Sequence, residues 1–90
     1  MKKMLLVTFD LGASQDTKAL FDAVKKQGRW WHYMKPTWLI YTDKSPDQIV
    51  DNLKPYIAGN GRLLVTELGN YQGLLPKEAW EWIHNRERGE

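Results

Sequence analysis

Apolar positions near the start of the chain alternate between two faces. Leu5, Val7 and Phe9 fall on one side of an extended segment, and Leu6, Thr8 and Asp10 on the other. A strand ending at Asp10 is expected. The period then lengthens. Thr17, Leu20, Phe21 and Val24 recur at helical spacing, with Ser14 or Asp16 available to cap the start and Gly28 to stop the helix. Next come "RWWHYM" and "TWLIYT", two strand-like runs broken by Lys35-Pro36. Proline presets a turn angle and cannot donate to a ladder, so the break predicts a hairpin. "SPDQIVDNLKPYIAG" opens with Ser45 as a cap, Pro46 at the first helical position and Gln48 completing a capping box. Ile49, Leu53 and Ile57 mark its buried face, and Pro55 kinks it or ends its regular part. After the Asn60-Gly61 turn, "RLLVTEL" reads as a last strand. "GNYQG" is a loop, a terminal helix is expected over about 76–86, and the charged tail 87–90 is flexible.

The order is β-α-β-β-α-β followed by a helix. "LLVTFD" and "WLIYTD" each lead into a helix, and two βαβ halves are the signature of a ferredoxin-like fold. The fold class expected is therefore α+β: a ferredoxin-like β-α-β-β-α-β sandwich on a four-stranded antiparallel sheet, with an added C-terminal helix. The whole chain, 1–90, forms one domain in this reading. Two helices cover one sheet face and leave the other bare. Yet both faces of the hairpin are apolar: Trp30, His32 and Met34 alternate with Trp31 and Tyr33, and Trp38 and Ile40 with Leu39 and Tyr41. A face open to water turns polar instead. The second face must be covered by the terminal helix, another subunit or a stacked ligand.

Composition narrows the class. Hydrophobic content of 42% with 27% charged residues fits a globular chain rather than a disordered one. With no cysteine, disulfides and thiolate metal sites are excluded. The apolar run of "MKKMLLVTFD" is too short for a signal-peptide core, and no stretch approaches membrane-spanning length. A cytoplasmic protein with no membrane partner is the expectation. The net charge of +2 is mild for a nucleic-acid binder. Lys25, Lys26 and Arg29 form the only internal basic cluster, and cations also suit the C-terminus of a helix.

Aromatic residues pose the main choice. Burying a tryptophan removes roughly 150–250 Å² from water, worth several kcal/mol, whereas stacking one base is worth about 1–3 kcal/mol. Core and subunit interface therefore account for most of these rings, leaving one or two for stacking. Trp80 and Trp82 lie about 200° apart on the terminal helix, so they do not share its contact stripe. Ala79 and Ile83 define that stripe near Trp80, and Trp82 needs another partner.

For chemistry, Asp10 stands out at the end of a strand, directly before "LGAS". It can bind loop amides, or contribute one carboxylate to a divalent cation. Mg²⁺ takes one or two carboxylates with waters and phosphate oxygens. The second acid would come from Asp43, at the equivalent end of another strand, or from a second copy of Asp10 in a homodimer. His32 and His84 lack metal-pair spacing and read as packing or surface residues. Ser14, Ser45 and Thr17 read as caps. No nucleophile elbow, phosphate-cradling lysine loop or dinucleotide fingerprint is present. Tyr71 and Gln72 in the loop offer weak ligand contacts.

"MKKMLLVTFDLGASQDTKALFDAVKKQG", followed by an aromatic strand, resembles the small CRISPR-associated Cas-two proteins and the related VapD toxins. The blocks "WWHY", "TWLI", "RLLV" and "LPKEAWEWI" resemble a group of short bacterial and phage proteins labelled SinR-like. The resemblance implies a ferredoxin-like fold, a homodimer, and nucleic-acid or phosphodiester chemistry with Asp10 placing a metal at the dimer axis. Where that family often carries an arginine-rich segment, this chain has "LGASQDTK". The function expected is a small homodimeric module that binds nucleic acid or a nucleotide without catalysis. Arg29, Lys35 and Arg62 would contact phosphate, and Trp31, Tyr33 or Tyr41 would stack. One alternative is a metal-dependent ribonuclease or deoxyribonuclease with Asp10 as catalytic and metal-binding residue; Mg²⁺ or Mn²⁺ belongs to that reading only, and no other cofactor is expected. Another is a protein-interaction subunit of a toxin–antitoxin or phage accessory system.

Overall fold

The computed structural model describes residues 2–11, 17–34, 36–57, 59 and 61–87, with the side chains of Tyr33 and Glu87 outside that description. Strand β1 spans Lys3–Asp10, helix α1 Lys18–Lys25, β2 Arg29–Met34, β3 Thr37–Thr42, α2 Pro46–Leu53, β4 Arg62–Glu67 and α3 Lys77–Glu87. The fold is α+β. Its four-stranded sheet has the order β2-β3-β1-β4, and every neighbouring pair is antiparallel. This arrangement is compatible with a ferredoxin-like fold. No helix among the described residues is long and apolar enough to cross a membrane.

The alternation in β1 divides two cores. Leu5, Val7 and Phe9 pack with Trp38 and Ile40 of β3, beneath Leu20, Ala23 and Val24 of α1 and Ile49 and Leu53 of α2. Ala23 joins the buried face of α1, whereas Thr17 is exposed. The helix begins at Lys18 with Thr17 flanking it and no side-chain cap bond. Ser14 and Asp16 lie outside the described residues. In α2 the capping box forms as read: Gln48 N–H donates to Ser45 Oγ at 3.2 Å, and Ser45 N–H to Gln48 Oε1 at 2.8 Å. The helix ends before Pro55, and a 3₁₀ turn over Lys54–Tyr56 follows.

Helix α1 ends at Lys25 with Lys26 as its C-cap, and Gly28, the stop expected from the sequence, is instead required at the entry into β2. A Cβ there would run into the Tyr41 carbonyl, so the chain enters β2 only without a side chain. Behind it, the buried Gln27 ties three segments together. Its Nε2 donates to Ala23 O at 2.8 Å, and its Oε1 accepts from Asn52 Nδ2 at 2.9 Å and Lys44 Nζ at 3.1 Å.

The hairpin departs from simple alternation. Trp30 pairs with Ile40 and Trp31 with Leu39, but Met34 pairs with Thr37 after a register shift. An extra residue in one strand inverts the facing of the residues beyond it. Met34 therefore shares the face of Trp31, Thr37 and Leu39, not that of Trp30 and His32 as strict alternation implies.

The terminal helix covers the second face. Ala79 and Ile83 bury against Met4, Trp31 and Leu39, with Leu6, Tyr41, Leu68, Tyr71, Leu75, Trp80 and Trp82 around them. Pro76 O accepts from Ala79 N–H and Trp80 N–H, which starts the helix where proline is best tolerated. The two indoles flank the Ala79–Ile83 stripe at about 80° on either side. Each is half-buried: Trp80 lies against His84 with centroids 6.0 Å apart, and Trp82 under the Arg86 guanidinium at 5.4 Å.

Candidate functional site

The antiparallel sheet decides which expected site residues meet. Lys3 pairs with Thr42 and Asp10 with Arg62, so β1 and β3 end at opposite edges. Asp43 follows Thr42 and thus lies at the other end of the sheet from Asp10, about 24 Å away by strand rise. It does not supply the second carboxylate. Asp10 is exposed, and its cross-strand neighbour is a cation. Among the described residues no group of three or more His, Asp or Glu side chains is placed to hold a metal.

The expected phosphate and stacking residues also divide. Arg62 sits at the Asp10 end and Arg29 at the Thr42 end. Trp31 is 5% exposed beneath α3, so it presents no ring face to a base. Lys35 and the Tyr33 side chain lie outside the described residues. Arg29 and Tyr41 remain together as direct cross-strand partners on the α3 side of the sheet.

Around Tyr41 lies a recess of about 420 Å³ whose lining includes Lys2, Lys3, Arg86, Tyr71 and Glu67. Lys2 Nζ lies 5.9 Å from the Tyr41 ring centre. Lys3 Nζ reaches Glu67 at 3.5 Å, with both side chains about half exposed. Lysine supplies a mobile point charge for a phosphate, and arginine a planar fork. Tyrosine offers a ring face and a hydroxyl. Lys2 and Lys3 lie at the start of β1 and Arg86 on α3, and the packing of α3 over the sheet is what brings them to one recess. Only the "MKK" start hinted at this in the sequence.

A second accessible aromatic stands at the β2 edge, on the α1 side. Trp30 is 41% exposed, and Lys25 Nζ lies 4.9 Å from its ring centre. Trp30 leans on Trp38 at 5.4 Å, and His32 stacks flat on Trp38 at 3.8 Å. His32 Nδ1 lies 3.1 Å from Thr37 O. A carbonyl only accepts, so Nδ1 donates this bond. Lys25 thus has both roles, closing the last turn of α1 and capping an indole. A recess of about 480 Å³ opens here between Trp30 and Trp82.

Each recess combines cationic charge with aromatic rings. Both offer charge and ring faces, the requirements of binding. In comparisons with known proteins, the chain matches no family model, and no curated protein or solved structure matches it significantly.

Proposed function

We propose that the protein is a ferredoxin-like, homodimeric module that binds single-stranded nucleic acid or a nucleotide without catalysis. The observation that carries this reading is Lys2 Nζ against the Tyr41 ring, with Lys3 and Arg86 lining the same recess and Arg29 as the cross-strand partner of Tyr41. Phosphate contacts and one aromatic platform are what single-strand binding needs. The strand order supports the ferredoxin-like assignment. A catalytic role for Asp10 is less well supported, because Arg62 beside it adds positive charge where a divalent cation would sit.

The test compares variants by fluorescence anisotropy with labelled single-stranded RNA and DNA at low salt. Lys2→Ala with Arg29→Ala weakens binding at least tenfold, and Tyr41→Ala weakens it further. Asp10→Asn leaves affinity unchanged. Wild-type affinity in the Lys2/Arg29 double variant would reject this surface. Mg²⁺-dependent cleavage lost in Asp10→Asn would reject the non-catalytic reading.

A further inference from the structure

Strand β4 closes one edge of the sheet, and no described strand pairs with its outer side. Its backbone polarity follows from one bond. Leu68 N–H donates to Met4 O at 3.0 Å, continuing the β1–β4 register. Hydrogen-bonded pairs alternate along an antiparallel ladder. Arg62, Leu64 and Thr66 thus point their amides at β1. Leu63, Val65 and Glu67 point theirs outward.

We infer that this edge pairs with β4 of a second copy about a two-fold axis through Leu64, continuing the sheet across the dimer. The inference rests on the homodimeric part of the proposed function alone. Leu64 is 62% exposed at the centre of the strand. The centre of this edge is unguarded: within Arg62–Glu67 there is no proline and no lysine, and the two charges sit at the strand ends. With the axis at Leu64, Leu64 meets its own copy, Leu63 meets the partner's Val65, and Arg62 meets the partner's Thr66. Shifting by one residue to an axis at Val65 would instead set Leu63 against the partner's Glu67 and Leu64 against the partner's Thr66. Apolar pairs favour the first register. In this register Leu63 and Val65 exchange the outward hydrogen bonds, and the two Leu64 residues form a non-hydrogen-bonded pair.

The chain has no cysteine, so single-cysteine variants report geometry cleanly. Opposed residues of a non-hydrogen-bonded pair have Cα atoms about 4.5 Å apart, inside the disulfide range. Two Arg62 residues would be about 13 Å apart, outside it. Full-length wild type in light scattering is expected at twice the 10.6 kDa chain mass. Leu64→Cys crosslinks to near completion on mild oxidation, and Arg62→Cys does not. Leu64→Lys, which places two like charges at the axis, weakens dimerisation at least tenfold with an unchanged far-ultraviolet spectrum. A dimer in which the Leu64→Cys variant fails to crosslink overturns this edge while leaving the homodimer standing. A monomeric wild type overturns both. Nucleic-acid affinity, measured separately, bears on neither.

Discussion

At the residue scale, the aromatic segment divides by parity. Trp38 is 1% exposed and meets Phe21, Trp30 and His32. Replacing it with alanine should cost about 3–5 kcal/mol, read as a fall in chemical-denaturation midpoint. Its indole N–H is buried without a hydrogen-bond partner among the described residues. Trp38→Phe should therefore lose clearly less than Trp38→Ala, since the ring contacts survive and the unpartnered donor goes. Equal losses would mean that the donor has a partner in solution. Trp30, with two-fifths of its surface exposed, should change stability little on truncation. Gly28→Ala should be destabilising, because the new methyl meets backbone rather than a side chain that can give way. A denaturation midpoint at wild type would mean the β2 entry is looser than described.

At the element scale, what was legible in the sequence followed strong local signals. The Ser45–Gln48 box, Pro46 and the two-faced pattern of β1 each act within a few residues, and each formed as read. Ser45→Ala should cost about 1 kcal/mol, checked by thermal melting. The misreadings were of placement rather than of element type. Met34 changed faces because a bulge is invisible to strict alternation. Asp43 was grouped with Asp10 because both follow apolar strands, yet antiparallel strands end at opposite edges. The cover over the second face was open among three choices, and α3 fills it. Removing α3 by truncation before Lys77 should expose Met4, Trp31 and Leu39, and raise binding of a hydrophobic dye with aggregation. A soluble, dye-silent truncation would show that another surface covers those residues.

At the scale of the whole molecule, the proposed binding surface draws on residues distant in sequence. Lys2 and Lys3 lie at one end of the chain and Arg86 at the other, and no local pattern joins them. The small net charge of +2 conceals this, because opposite charges elsewhere offset a local cationic cluster. Of the aromatic residues first suggested for stacking, Trp31 is sealed under α3. The proposed binding chemistry lies instead around Tyr41 on β3, with Trp30 on the edge strand β2 as a second accessible ring.

The most direct test is a salt titration of wild-type binding to labelled single-stranded RNA and DNA. Neutralised phosphates release counterions, so each contact contributes a slope of about −0.7 in log affinity against log salt for single strands. With three or four cations engaged, affinity should fall by roughly 20- to 50-fold between 50 and 200 mM salt. Binding that ignores salt, or none at 50 mM salt, would contradict the account.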